Sequence, residues 1–345
     1  MHTPISKGLS CIIVLNQMRE RSASPRPYAL LCAVVCALGM FVCSAAALAQ
    51  QAPDDQKLIA SIRDRIQVAQ HNHASDEELG HLWLALGNRY QDQLIGPEAE
   101  DAFARALRLL TGKNQARGDY ADALAGMGSL YLADGRYRNA ADFLRRSAQV
   151  YESLGDAAHA ASLHESLAIT LTHLGKYRES EAQSLLARSS LESLHSPDPA
   201  ELLASRITHA YALCYQDRCS PALAEVDEAV VNRQIRPDSL EMVAALLARA
   251  FIQSRLGADW EPDVTRALHI TRSQTGVSTA VRSNIELSVL RQYGQLLKAS
   301  QRNPDTKARE KEIAQQIARL EEQRPSPCTG CTVNVSAFAP TTLLH

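Results

Sequence analysis

The segment ADGRYRNA, residues 133–140, returns forty positions later as HLGKYRES, residues 173–180, with Gly, a basic residue, Tyr and Arg in the same order. A chain that repeats one turn at a fixed interval is built from a repeated supersecondary unit. Aligned on this turn, Gly135, Gly175, Asp217 and Gly257 fall at intervals of 40, 42 and 40 residues. Before each comes an apolar helical pattern with a small residue seven positions upstream: Gly128, Ala168, Ala210 and Ala250. After the first three turns comes another small residue, Ala140, Ser180 or Ala222, whereas the fourth copy has Pro262 there. Each unit therefore reads as helix, tight turn, helix. The small residues mark where paired helices must approach closely.

Cap signals agree. Ser75 followed by Glu78, and Asp198-Pro199-Ala200-Glu201, read as capping boxes. Ser220-Pro221 and Asn303-Pro304 start helices by the same logic, and Gly175 and Gly257 suit the left-handed residue that ends one. Strand signals are nearly absent before residue 330. The expected class is all-α, a right-handed α-solenoid of about six helix hairpins at 76–112, 117–155, 157–194, 198–234, 238–276 and 280–323. Residues 50–75 form an N-terminal segment with a capping helix at 54–73. The repeat domain runs over 76–323, and 324–345 is a tail. The last hairpin ends in KAREKEIAQQIARLEEQR, whose polar outer face suits a terminal cap.

One copy matches a known pattern. WLALGNRY, residues 83–90, places Trp83, Leu86, Gly87 and Tyr90, followed by Ala99 and Phe103, at the spacing of the tetratricopeptide repeat. The chain resembles that superfamily over roughly residues 54–323, with one well-matched copy and about five degenerate ones. The usual unit is about 34 residues, and here it is 40–42. The extra length is close to two helical turns. One added turn per helix keeps each apolar stripe facing the same way. This longer period resembles that of kinesin light chains and several bacterial repeat families.

The first fifty residues are of another kind. Arg19, Arg21 and Arg26 precede an uncharged run, YALLCAVVCALGMFVCSAAALAQQ, that passes through Ala47-Leu48-Ala49. Such a run with a small-x-small site reads as a secretory signal over 1–49, cleaved after Ala49. Met18 is an alternative start to Met1, because the stretch before it is long for a signal's charged region. The rival reading is an uncleaved anchor, since Ala29–Ala49 could just span a bilayer. The expected location is the periplasm or outside the cell, with no membrane insertion after cleavage. The mature chain keeps Cys214, Cys219, Cys328 and Cys331, and an even number in an exported chain reads as two disulfides in one of three pairings. Net charge is −2, so nucleic acid is not a default partner.

No catalytic residue, metal ligand or cofactor is expected. His164-Glu165 begins an HExxH pattern, but its fifth residue is Ala168, so the zinc motif fails. The pair then reads as an ordinary polar helix start. His71, His73, Asp76, Glu77 and His81 read as a solvated helix end rather than a metal site. Cys328-Thr-Gly-Cys331 has redox spacing but lacks the strand–helix setting that lowers a thiol pKa. No GxSxG elbow or phosphate loop occurs. The function expected is a non-enzymatic scaffold that binds a protein or peptide partner in its concave groove. Its rivals are an envelope component that binds through its ends and a redox protein using the tail CxxC.

The resemblance implies that first helices line the inner curve. Asn88, Ser129, Ile169, Tyr211, Phe251 and Gln295 are then equivalent. Only Asn88 fits the Lys/Arg/Asn clamp with which chaperone-binding members grip an acidic C-terminus, so that partner class is rejected. The candidate groove residues are Asn88, Tyr211, Tyr215, Phe251, Arg255 and Arg291, since aromatics beside arginines compose interface hot spots. The alternative places these rings in the core between hairpins.

Overall fold

The structure is a computed structural model that describes residues 56–322, apart from 94, 114–116, 232–234, 276, 278 and 301–303. The signal segment, Cys328 and Cys331 lie outside the described residues. By internal contacts the chain divides after Ala60, and the unit from Ser61 onward carries the repeats.

The described residues form helices and no strand. Helix α1 spans 56–71. Six hairpins follow: α2 (Asp76–Asp92) with α3 (Gly96–Leu110), α4 (Arg117–Ala133) with α5 (Tyr137–Leu154), α6 (Ala157–His173) with α7 (Tyr177–Glu192), α8 (Pro199–Cys214) with α9 (Cys219–Val231), α10 (Leu240–Arg255) with α11 (Glu261–Ser273), and α12 (Thr279–Ala299) with α13 (Pro304–Glu322). Each first helix packs on its own second helix and on the first helix of the next hairpin, and each second helix also packs on the next first helix. The result is a right-handed α-solenoid with its first helices in one continuous row.

Local chemistry sets the boundaries. Ser75 accepts from the Glu78 amide at 3.2 Å and Asp198 from the Ala200 amide at 2.8 Å. Asp156 and Ser239 cap α6 and α10 in the same way, at 3.1 and 3.3 Å. Gly135, Gly175 and Gly257 have φ near +70°, and the next residue's amide donates back to the last turn: Arg136 to the Tyr131 carbonyl at 2.8 Å, Lys176 to Leu171 at 2.9 Å, Ala258 to Gln253 at 2.9 Å. The recurring segment is thus one helix-ending motif in which glycine supplies the left-handed conformation. The fourth turn uses the same bond, Arg218 to the Leu213 carbonyl at 3.0 Å, with Asp217 held at φ 61°.

The turn's tyrosine stitches hairpins together. Tyr137 stacks on His173 with centroids 4.4 Å apart, and Tyr177 stacks on Tyr215 at 4.9 Å, each ring reaching the end of the next first helix. Between paired helices the small residues Ala140, Ser180, Ala210, Ala222 and Ala250 are fully buried. Ser180 donates to the Ala168 carbonyl at 2.8 Å, so its hydroxyl is satisfied inside the contact. At the far end α13 buries only Ile313, as suits a helix with one face to solvent.

Candidate functional site

The first helices form one row along the repeat, and its character changes along the chain. At the equivalent position Asn88 is exposed and Ser129 half-buried, but Ile169, Tyr211 and Phe251 are buried. In the later hairpins the first helices fill this row with their own side chains. Tyr211 is 3% and Phe251 2% exposed. Their rings lie 5.1 Å apart, and Phe251 also meets Tyr215 at 5.2 Å. Tyr177, Tyr215, Phe251 and Tyr211 therefore form one run of rings from a half-buried edge into the core. Burial pushes the Tyr211 hydroxyl above its ordinary range, opposed by a hydrogen bond with Gln292. Burial also raises Tyr215, aided by Tyr211 and Tyr177 and opposed by Arg255.

This placement corrects the expectation that Tyr211 and Phe251 face an open groove; both are core, for want of exposed surface. Of the six candidates, Asn88, Arg255 and Arg291 are exposed and Tyr215 is half-buried at the edge. Arg255 pairs with Asp217 of the fourth turn at 3.3 Å. Arg291 pairs with Glu321 of its own hairpin at 2.7 Å. The sulfurs of Cys214 and Cys219 meet at bonding distance across the fourth turn, and Cys219 stands where the earlier turns carry Tyr137 and Tyr177.

His164 and Glu165 also depart from the sequence reading. Both lie inside α6 rather than at its start. His164 is buried, with Nδ1 2.7 Å from Gln183 and Nε2 3.0 Å from Glu152. Glu165 Oε1 accepts the Thr208 hydroxyl from α8, and Oε2 is buried with no hydrogen-bond partner among the described residues. Burial pushes this carboxyl up to about 7, opposed by the Thr208 hydrogen bond. The signal was available in the repeat register. Three positions before the small residue of the first helix, the other copies carry Leu84, Ala125, Ile207, Leu247 and, exposed in the last hairpin, Arg291, so among the five inner copies the third alone carries a charge.

A polar network behind α8 was also missed. Glu225 of α9 takes Arg188 of α7 and His209 Nδ1 at 2.6 Å, while Glu181 takes Gln216 at 2.8 Å and Arg218 at 2.9 Å. Burial pushes Glu225 up, but His209 and Arg188 outweigh it and hold the carboxyl below its usual range. These contacts cross-brace the third and fourth hairpins. A cleft of about 310 Å³ beside α2 is lined by Arg63, Trp83, Tyr90, Pro97, Glu98 and Asp101, among others. Its rings are already covered by the chain's own guanidinium groups, Arg63 over Tyr90 at 5.6 Å and Arg105 over Trp83 at 4.6 Å. Among the described residues no group of three or more His, Cys, Asp or Glu could hold a metal ion. Nor is any helix there long and apolar enough to cross a membrane.

No protein-family model matches the sequence, and no curated protein matches it. Solved structures do. The apo form of RapI superposes with a TM-score of 0.59 at 14% identity, covering 78% of this chain and 94% of that one. BtubC (BKLC) from P. vanneervenii gives 0.52 at 18% identity, covering 65% of this chain and 93% of that one. The fold is that of the tetratricopeptide-like repeat proteins. A Podosopora anserina putative kinesin light chain with nearly identical TPR-like repeats also matches, at a TM-score of 0.49 and 16% identity over 57% of this chain and 95% of that one. At such identities the likeness is one of fold alone.

Proposed function

We propose that this chain is an exported, non-enzymatic scaffold that binds a protein or peptide partner along its first-helix row. The observation that carries this reading is the row itself. It is continuous from hairpin to hairpin, with Asn88 exposed at its early end and the Tyr177–Tyr215 edge with Arg255 farther along. Tetratricopeptide-like solenoids present such a surface to extended or helical segments. The test is cross-linking capture from envelope extracts. Asn88→Arg and Arg255→Glu change exposed side chains, so each is expected to lower capture at least tenfold while melting within about 1 °C of wild type. Undiminished capture by both, with loss in Arg309→Glu on α13, would instead favour binding through an end.

Export places the remaining cysteines in an oxidising compartment, and the Cys214–Cys219 approach supports a disulfide across the fourth turn. Closing so short a loop contributes about 2 kcal/mol in the chain-entropy account. Non-reducing peptide mapping of the envelope protein should recover a linked peptide over these two residues and an N-terminus at Gln50. Free thiols at both positions would contradict the bridge, and an intact N-terminus in the membrane fraction would point to an anchor.

A further inference from the structure

We propose that Glu165 makes the joint between the third and fourth hairpins responsive to pH, holding α6 against α8 while its carboxyl is protonated and loosening that contact when it ionises. The contact between these helices runs through the Glu165–Thr208 hydrogen bond. A protonated carboxyl is neutral, and its second oxygen tolerates burial at the cost of one unmade hydrogen bond. An ionised one leaves a charge at Oε2, which is buried without a partner.

No neighbouring charge acts on this carboxyl. Several charged groups on the elements packed against α6 have partners elsewhere. Asp122 on α4 binds Tyr151 of α5, and Glu152 on α5 binds His164. On α7, Glu181 binds Arg218 and Arg188 binds Glu225. On α8, Arg206 pairs with Glu228 at 3.3 Å and His209 with Glu225 at 2.6 Å. The charge state of Glu165 is therefore set by burial and by Thr208 alone.

The sign follows from proton uptake. With the folded carboxyl raised to about 7 from an ordinary 4.5, the closed joint binds the extra proton between those values. Its stability is full below pH 4.5 and is lost as pH rises to about 7. His173, the last residue of α6, acts oppositely. Burial lowers its imidazole to about 4 from 6.5, so unfolding takes up a proton there and global stability falls as pH drops through that window. The two slopes oppose each other in global unfolding. The α8 amides around Thr208 report the Glu165 contact, whereas His173 stacks on Tyr137 of α5.

The decisive readout is hydrogen exchange of the α8 amides around Thr208, expressed as protection relative to free peptide, from pH 4.5 to 8. Protection in the wild type is expected to fall about a hundredfold across this range, while Glu165→Gln, which keeps the shape and stays neutral, should remain flat. Thr208→Val removes the one group that favours the ionised form and should move the loss to higher pH. In Glu165→Gln, global melting should show the uncompensated His173 slope, with stability rising from pH 4 to 6.5. If wild type and Glu165→Gln lose α8 protection alike, or neither loses it, the proposal is wrong.

Discussion

Gly126→Leu is expected to destabilise the first two hairpins by about 3 kcal/mol, and Phe103→Ala by about 3–5 kcal/mol. Both act on one contact. Phe103 is fully buried, and its ring is held between two helical glycines. A Cβ on Gly87 of its own hairpin would lie 2.7 Å from Phe103 Cδ1. One on Gly126 of the next hairpin would lie 2.5 Å from Phe103 Cζ. Neither glycine has a positive φ, so space rather than backbone conformation requires them. Each gives up about 1 kcal/mol of helix propensity relative to alanine, and the seated ring outweighs that loss. Leucine at 126 must drive the ring out of its seat, whereas Phe103→Ala leaves a cavity that the rigid hairpins close only in part. Gly118→Ala is the control: nothing lies within 4 Å of its added Cβ, so it should be neutral or slightly stabilising. Chemical denaturation of the three variants checks this. A Gly126→Leu transition coincident with wild type would show that the ring has another place to go.

The same contact explains what the sequence made legible. Gly87 and Phe103 sit where packing space admits few residues and the turn glycines where backbone conformation does, so a single copy revealed the pattern and the 40-residue interval carried it through the degenerate copies. Helix boundaries followed because caps are local: Ser75 and Asp198 bond amides within three residues. The site was less legible, for a physical reason. Equivalent positions in a solenoid need not have equivalent environments, because each first helix meets neighbours of different bulk. Asn88 stays exposed where the row carries Ala85 and Ser129; Tyr211 and Phe251, three and four hairpins on, cover each other. Register told which residues share a row and not which of them remain accessible. Glu165 shows the converse. Its pattern break was visible, but its significance depends on Thr208, 43 residues away. No local signal encodes that distance.

Phe251→Ala is expected to cost about 3–5 kcal/mol and to leave partner capture per folded molecule unchanged. Phe251 packs in one core with Leu203, Ile207, Tyr211, Cys214 and Ile252, so truncation opens a cavity between α8 and α10 and removes two ring contacts. Repeat stability is largely a sum of intrinsic and nearest-neighbour terms. The loss should therefore concentrate in the fourth and fifth hairpins, where amide protection falls, while the first two keep theirs. Tyr211→Phe is the milder companion. It keeps the ring and removes only the hydroxyl that meets Gln292, so about 1 kcal/mol is expected. Arg255→Glu should do the opposite of Phe251→Ala, keeping the melting temperature and weakening capture, because Arg255 is exposed and its Asp217 partner is 90% exposed, a setting in which an ion pair adds little to stability. Melting curves and capture assays on all three variants separate core from surface. Wild-type melting in Phe251→Ala together with lost capture would return this ring to the binding face.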